Sequence, residues 1–170
     1  MDLPGSAYLL ALAALAIAFV GFASLVIIFL RPTTGGPLTR YDVFFTLSFV
    51  QLCFVIVFGS LLPPLLALGG LAETTIWRWA SASTACLFAL FCIAAPVRRR
   101  AMGKPPGSTY FAWLAVPHLI SLALLVAIAG GVQFGPGAAP YASALTLIFF
   151  TTGLGYYLAL RVLLLASHRR

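Results

Sequence analysis

Four polar side chains lie deep inside long apolar runs of this chain: Gln51, His118, Thr152 and Tyr156. A polar group at such depth must find a partner inside the protein or mark a functional path, because lipid tails offer no hydrogen bonds. Gln51 lies ten residues after Tyr41, and His118 lies ten residues after Ser108. Ten helical residues rise roughly 15 Å, which reaches the middle of a bilayer. If both runs start on one side, Gln51 and His118 share a layer. An amide and an imidazole in that layer make a ligand-binding or proton-sensitive site, or simply an interhelical hydrogen bond. The simple bond is the favoured expectation, because no intramembrane carboxylate accompanies the pair. Thr152 and Tyr156 sit one turn apart on the last run and complete the candidate set. A membrane threonine often bonds its own i−4 carbonyl, and a tyrosine hydroxyl often reaches a neighbouring helix.

The second cluster is cationic. Arg98, Arg99, Arg100 and Lys104 follow one apolar run and precede the next. Cations at a membrane surface attract anionic headgroups, each contributing about 1 kcal/mol, so these four are the candidate lipid contact. Their other role is to fix which way the chain crosses.

Other chemistries lack their residues. The whole chain has three acids, Asp2, Asp42 and Glu73, and all three fall at the starts of runs or before them. Asp42, three residues after Thr39, reads as part of a helix-capping box, and Glu73 suits the positive end of a helix. There is no Gly-x-Ser-x-Gly and no phosphate loop, so no catalytic residues are assigned and no enzyme is expected. A bis-histidine haem needs a second mid-membrane histidine, whereas His168 lies close to the C-terminal arginines. Cys53, Cys86 and Cys92 form no Cys-x-x-Cys pair and have no ligand-spaced histidine. They read as small hydrophobes, and neither metal nor cofactor is expected.

The elements that must hold these residues follow from composition. The 170 residues are 62% hydrophobic and 8% charged. Soluble domains carry roughly 25% charged residues, so this chain needs lipid around it. The sequence predicts an all-α, polytopic integral membrane protein, a single domain of five transmembrane helices. The expected spans are about 7–30, 41–68, 76–97, 109–132 and 141–166. The first run is too long for a signal-peptide core and lacks a positive flank, so it reads as a retained span. Arg31-Pro32 is expected to stop the first helix. Pro63-Pro64 either kinks the second span or ends it. Ala7, Ala11, Ala14, Ala18 and Gly21 recur on one face of span one, and Ala82, Ala85, Ala89 and Cys92 repeat the spacing in span three. Small-residue faces let helices approach closely, so spans one and three are expected to pack together.

Assigning connections alternately to two sides decides the orientation. One side receives Arg31, Arg40, Arg98, Arg99, Arg100, Lys104, Arg161, Arg169 and Arg170, and the other receives only Arg78. Basic residues are retained in the cytoplasm, which puts the N-terminus outside and the C-terminus inside. The formal charge of +7 is thus loop chemistry, and nucleic acid is not expected as a partner because the cations form no basic face outside short loops. The segments Gly21-Phe22-Ala23-Ser24, Leu61-Leu62-Pro63 and Trp77-Arg78 resemble small bacterial membrane proteins, which implies the inner membrane.

These readings lead to a small, non-catalytic inner-membrane protein that acts by helix association. It would be a subunit of a membrane complex, a homo-oligomer or a membrane sensor or effector, with lipids and a membrane-protein partner or second copy around it. The alternative is a small transporter or channel whose path includes Gln51, His118, Thr152 and Tyr156. The orientation makes a prediction. Single cysteines introduced into 69–72 in a cysteine-free background will react with an impermeant maleimide in intact cells, and those in 101–107 will react only after lysis. Labelling of 101–107 from outside would reverse the assignment.

Overall fold

The computed structural model describes residues 3–34, 40–100, 108–132 and 138–167. They form five α-helices: α1 (Ser6–Thr34), α2 (Arg40–Leu68), α3 (Glu73–Arg100), α4 (Ser108–Ala129) and α5 (Ala138–Ser167). Four of them, α1, α2, α3 and α5, are long and apolar enough to cross a membrane, and the apolar part of α4, Trp113–Ala129, is shorter. α1 and α3 run past the C-terminal ends of their expected spans, and α2 ends where its span was expected to end. α1 continues through Arg31-Pro32 to Thr34. A proline so near a helix end removes one hydrogen bond where the ladder is already running out. α2 carries Pro63 and Pro64 in its interior and ends at Leu68. α3 carries Pro96 and ends at Arg100, so the arginine triplet is helical and not loop.

Each helix packs against the next in sequence, α2 also packs against α5, and α5 touches all four others. Short connections force the first kind of contact, since a two- to eight-residue link leaves consecutive helices little choice of neighbour. α1 and α3 do not touch. The expected pairing of their small-residue faces is therefore wrong, because α2 and α5 fill the space between them. Ala7, Ala11, Ala14, Ala18 and Gly21 all face outward, while Leu9, Leu12, Ala13, Ala16 and Ala23 are buried. Only Ala85 of the matching α3 set is fully buried.

The core has two levels. Near the end marked by the α2–α3 turn, Tyr141 of α5 is completely enclosed and its ring lies 5.5 Å from that of Trp77 on α3. Its hydroxyl donates to the Gly59 carbonyl on α2 at 2.6 Å. Proline explains why that carbonyl is available. Pro63 has no N–H, so Gly59 O, four residues earlier, loses its helical donor. The Tyr141 proton is committed to Gly59, so Thr84 of α3, 3.0 Å away, donates to the phenolic oxygen. One side chain thereby ties three helices.

Toward the arginine end, the core is aromatic. Phe19 of α1, Phe49 of α2 and Phe149 of α5 meet with ring centroids 5.5 and 5.8 Å apart, and Tyr156 stacks 4.5 Å from Phe49. These contacts lock α1, α2 and α5 together.

α4 ends in a Schellman motif. Val132 N–H donates to Ala127 O, and Gly131 N–H to Ile128 O, each at 3.0 Å. Gly131 has φ +88°, a value that suits glycine at this position. Arg78 of α3 donates through Nε to the Ala129 carbonyl at 3.3 Å. Arg78, near the start of α3, thus complements the negative end of α4. Glu73 does not engage it, and instead its carboxylate accepts the Trp77 indole N–H at 3.2 Å.

A Cβ added at Gly59 would lie 3.0 Å from Leu145 Cδ2 and 3.0 Å from Thr84 Cγ2. Gly59→Ala should therefore destabilise by about 1–3 kcal/mol, because overpacking forces backbone or rotamer shifts. Tyr141→Phe should cost about 2–3 kcal/mol, because it leaves the buried Gly59 carbonyl without a donor. Denaturant unfolding in mixed micelles, followed by tryptophan fluorescence, measures both. Equal stability of wild type and Gly59→Ala would show that α2, α3 and α5 do not meet this closely.

Candidate functional site

Gln51 sits eleven residues into α2, and its side chain is half-buried. Its partner is not His118. Arg98 Nη1 donates to Gln51 Oε1 at 2.7 Å. The two residues start at different depths, because Arg98 is only two residues from the end of α3. Helix geometry closes the gap. Side chains tilt toward the N-terminus of their own helix, and α2 and α3 run in opposite directions. Gln51 leans toward the arginine end while Arg98 leans inward from it, so the guanidinium and the amide converge. The bond is charge-assisted and short. It also leaves the exposed guanidinium near the C-terminal end of α3.

His118 is held by its own surroundings. Its Nδ1 bonds the Leu114 carbonyl, one turn back, and its ring stacks on Phe88 of α3 at 5.5 Å. A carbonyl only accepts, so Nδ1 carries a proton. α2 and α4 do not touch, which keeps His118 away from Gln51. Equal depth along the bilayer did not bring them together, because the helices stand on opposite sides of α3 and α5.

Thr152 donates to Ile148 O at 2.6 Å, and Thr151 to Leu147 O at 2.7 Å, so both hydroxyls fold back onto α5. Tyr156 donates to the Ala23 carbonyl on α1 at 3.2 Å. The four side chains read from the sequence thus go four ways: to α3, to the α4 backbone, to the α5 backbone and to α1. They do not form one lumen among the described residues.

Arg98 is the only member of the cationic cluster whose side chain is described. The side chains of Arg99 and Arg100, and Lys104 entirely, lie outside the described residues, as do Thr39 and the side chain of Asp42. Among the described residues, no group of three or more His, Cys, Asp and Glu comes together. Cys53, Cys86 and Cys92 are free thiols.

The polar residues that the sequence reading passed over are Gly59, Ser60, Ser81, Thr84 and Tyr141. Tyr141 was expected only as the start of a span, yet its hydroxyl bonds both α2 and α3. A signal was present: a proline inside a span releases the carbonyl four residues before it, and here that residue is a glycine, whose missing side chain lets a neighbouring helix come close. An open groove of about 590 Å³ also runs between α1 and α5, lined by Tyr8, Ala142, Ser143, Thr146 and Phe150. Tyr8 donates across it to Thr146 at 2.6 Å, since the Thr146 proton is held by Ala142 O. No family model, curated protein or solved structure matches this chain.

The Gln51–Arg98 bond can be weighed by a double-mutant cycle. Gln51→Leu and Arg98→Leu should each destabilise the α2–α3 pair, with a coupling energy of about 0.5–1.5 kcal/mol in mixed micelles. Strictly additive effects would mean that the guanidinium spends its time in the headgroups instead.

Proposed function

We propose that this chain is a non-catalytic inner-membrane protein with five spans, its N-terminus outside and C-terminus in the cytoplasm, that acts by lateral association of helices. One observation carries the reading. The small residues Ala7, Ala11, Ala14, Ala18 and Gly21 form a continuous outward face on α1, and a Cβ added at Gly21 would meet nothing within 4 Å. Such faces let a second helix approach to backbone contact, where dispersion is strongest in lipid. The intramembrane polar groups support the same reading by their use. Gln51, Thr152 and Tyr156 hydrogen-bond to Arg98 or to backbone carbonyls, as structural groups do.

The partner is a membrane helix, either of a second copy or of another subunit, and the basic end takes anionic lipid through Arg98, Arg99, Arg100 and Lys104. The transporter alternative keeps less support, because its path needs Gln51, His118, Thr152 and Tyr156 on one lumen and each is engaged in a different direction.

Gentle-detergent extraction followed by native mass measurement tests the proposal. The expected result is a defined oligomer or a stable complex that Ala14→Leu or Ala18→Leu weakens, with the fold retained by circular dichroism. A monomer that moves a solute into liposomes would overturn it.

A further inference from the structure

Arg98 turns inward to a partner that carries no charge. Its Nη1 donates to Gln51 Oε1 at 2.7 Å. Gln51 lies eight residues inside the apolar stretch Val43–Leu68, roughly 12 Å along the helix from Val43. A neutral amide satisfies one N–H and leaves the positive charge unbalanced. The chain's three acids stand elsewhere. Asp2 precedes α1. Glu73 opens α3, roughly 37 Å of helix away from Arg98, and its carboxylate takes the Trp77 indole N–H. Asp42 lies nine residues before Gln51, half a turn round α2 from the residue that meets Arg98.

The bond also fixes what the pair presents. Arginine only donates, so the Gln51 oxygen faces it, and the –NH2 of the same planar amide keeps both its N–H groups. Neither that nitrogen nor Nε and Nη2 of Arg98 has a hydrogen-bond partner among the described residues. The cluster therefore offers several donors and no acceptor. Arg98 is exposed, so the cluster opens to the surroundings of the bundle.

We infer that Gln51 and Arg98 form a binding site for one phosphate group, supplied by a membrane lipid, with Gln51 as the positioning residue. The inference rests on the anionic-lipid contact proposed for the basic end, and it names the site within that contact. An unbalanced cation at this depth has two remedies: it returns to the surface and gives up Gln51, or it draws an anion to itself. The bond to Gln51 is kept, which leaves the second. With Nη1 committed, the Nε–Nη2 edge is the open fork, and such an edge matches two oxygens of a phosphate. A halide would give that fork a single centre.

Native mass measurement of the full chain in neutral detergent, titrated with phosphatidylglycerol, tests the site. Arg98→Lys keeps the charge and loses the fork. Gln51→Leu keeps every charge and loses the positioning. Each should weaken the first bound lipid about fivefold, the scale of one cation at a membrane surface. A contact made by charge alone would lose nothing from either. Arg99→Gln is the comparison, because it removes a cation from the same end. If it weakens binding while Arg98→Lys and Gln51→Leu do not, the site is overturned and the broader lipid reading stands. A wild type with no preference for the anionic lipid overturns both. Gln51→Leu also loosens the α2–α3 pair, so a measurement on the wild-type fold accompanies it. Recoupling between lipid phosphorus and arginine Cζ in bilayers should show a close contact that Arg98→Lys abolishes. Contacts unchanged by Arg98→Lys would overturn the site as well. Inorganic phosphate that displaces the lipid at equal concentration would assign the site to the free anion and overturn the lipid source.

Discussion

The hydrogen bond from Tyr141 to Gly59 organises this bundle. It exists because Pro63 deprives a carbonyl of its donor in a solvent that offers no substitute. An orphaned carbonyl in lipid costs several kcal/mol, so the donor must come from another helix. Tyr141 supplies it from α5, Thr84 of α3 then donates to Tyr141, and glycine at 59 leaves the approach open. Removing an internal bond from one helix has become the means of joining three.

The same economy governs the other polar groups. Arg98 reaches inward to Gln51, and Arg78 caps the carbonyl end of α4. Tyr156 binds an α1 carbonyl, and the threonines of α5 bind their own backbone. In water these groups would have many partners of similar worth, and their choice would say little about the fold. In lipid each has one or two, so the hydrogen bonds trace the packing. That is why the candidate residues, which share depth and polarity, do not share a site. Depth is set by position along one helix, whereas meeting depends on which face that helix turns to which neighbour.

The division of surfaces follows from α5. Because it touches every other helix, α1 is left at the edge with α2 and α5 as its only neighbours among the described residues. Its larger inward residues, Leu9 and Leu12, fill the bundle, and its small residues are left facing out. The groove between α1 and α5 belongs to that edge. The outward small residues of α1 and the groove beside it lie together on that edge of the bundle.

The sequence by itself determined that the chain is helical, that most of its helices are apolar enough to cross a membrane, and roughly where each one lies. Those properties are additive over residues: apolar length and the spacing of prolines and glycines. Helix ends were less legible: Arg31-Pro32 read as a stop and Pro63-Pro64 as either a kink or an end, while α1 and α2 run through them. Tertiary structure alone decided the partners. That Gln51 finds Arg98, that α1 and α3 stand apart, and that Tyr141 closes on Gly59 all depend on helix order and rotation around α5. No local pattern encodes these, since a helix in lipid can present any of its faces at nearly equal cost until a neighbour's side chains choose among them.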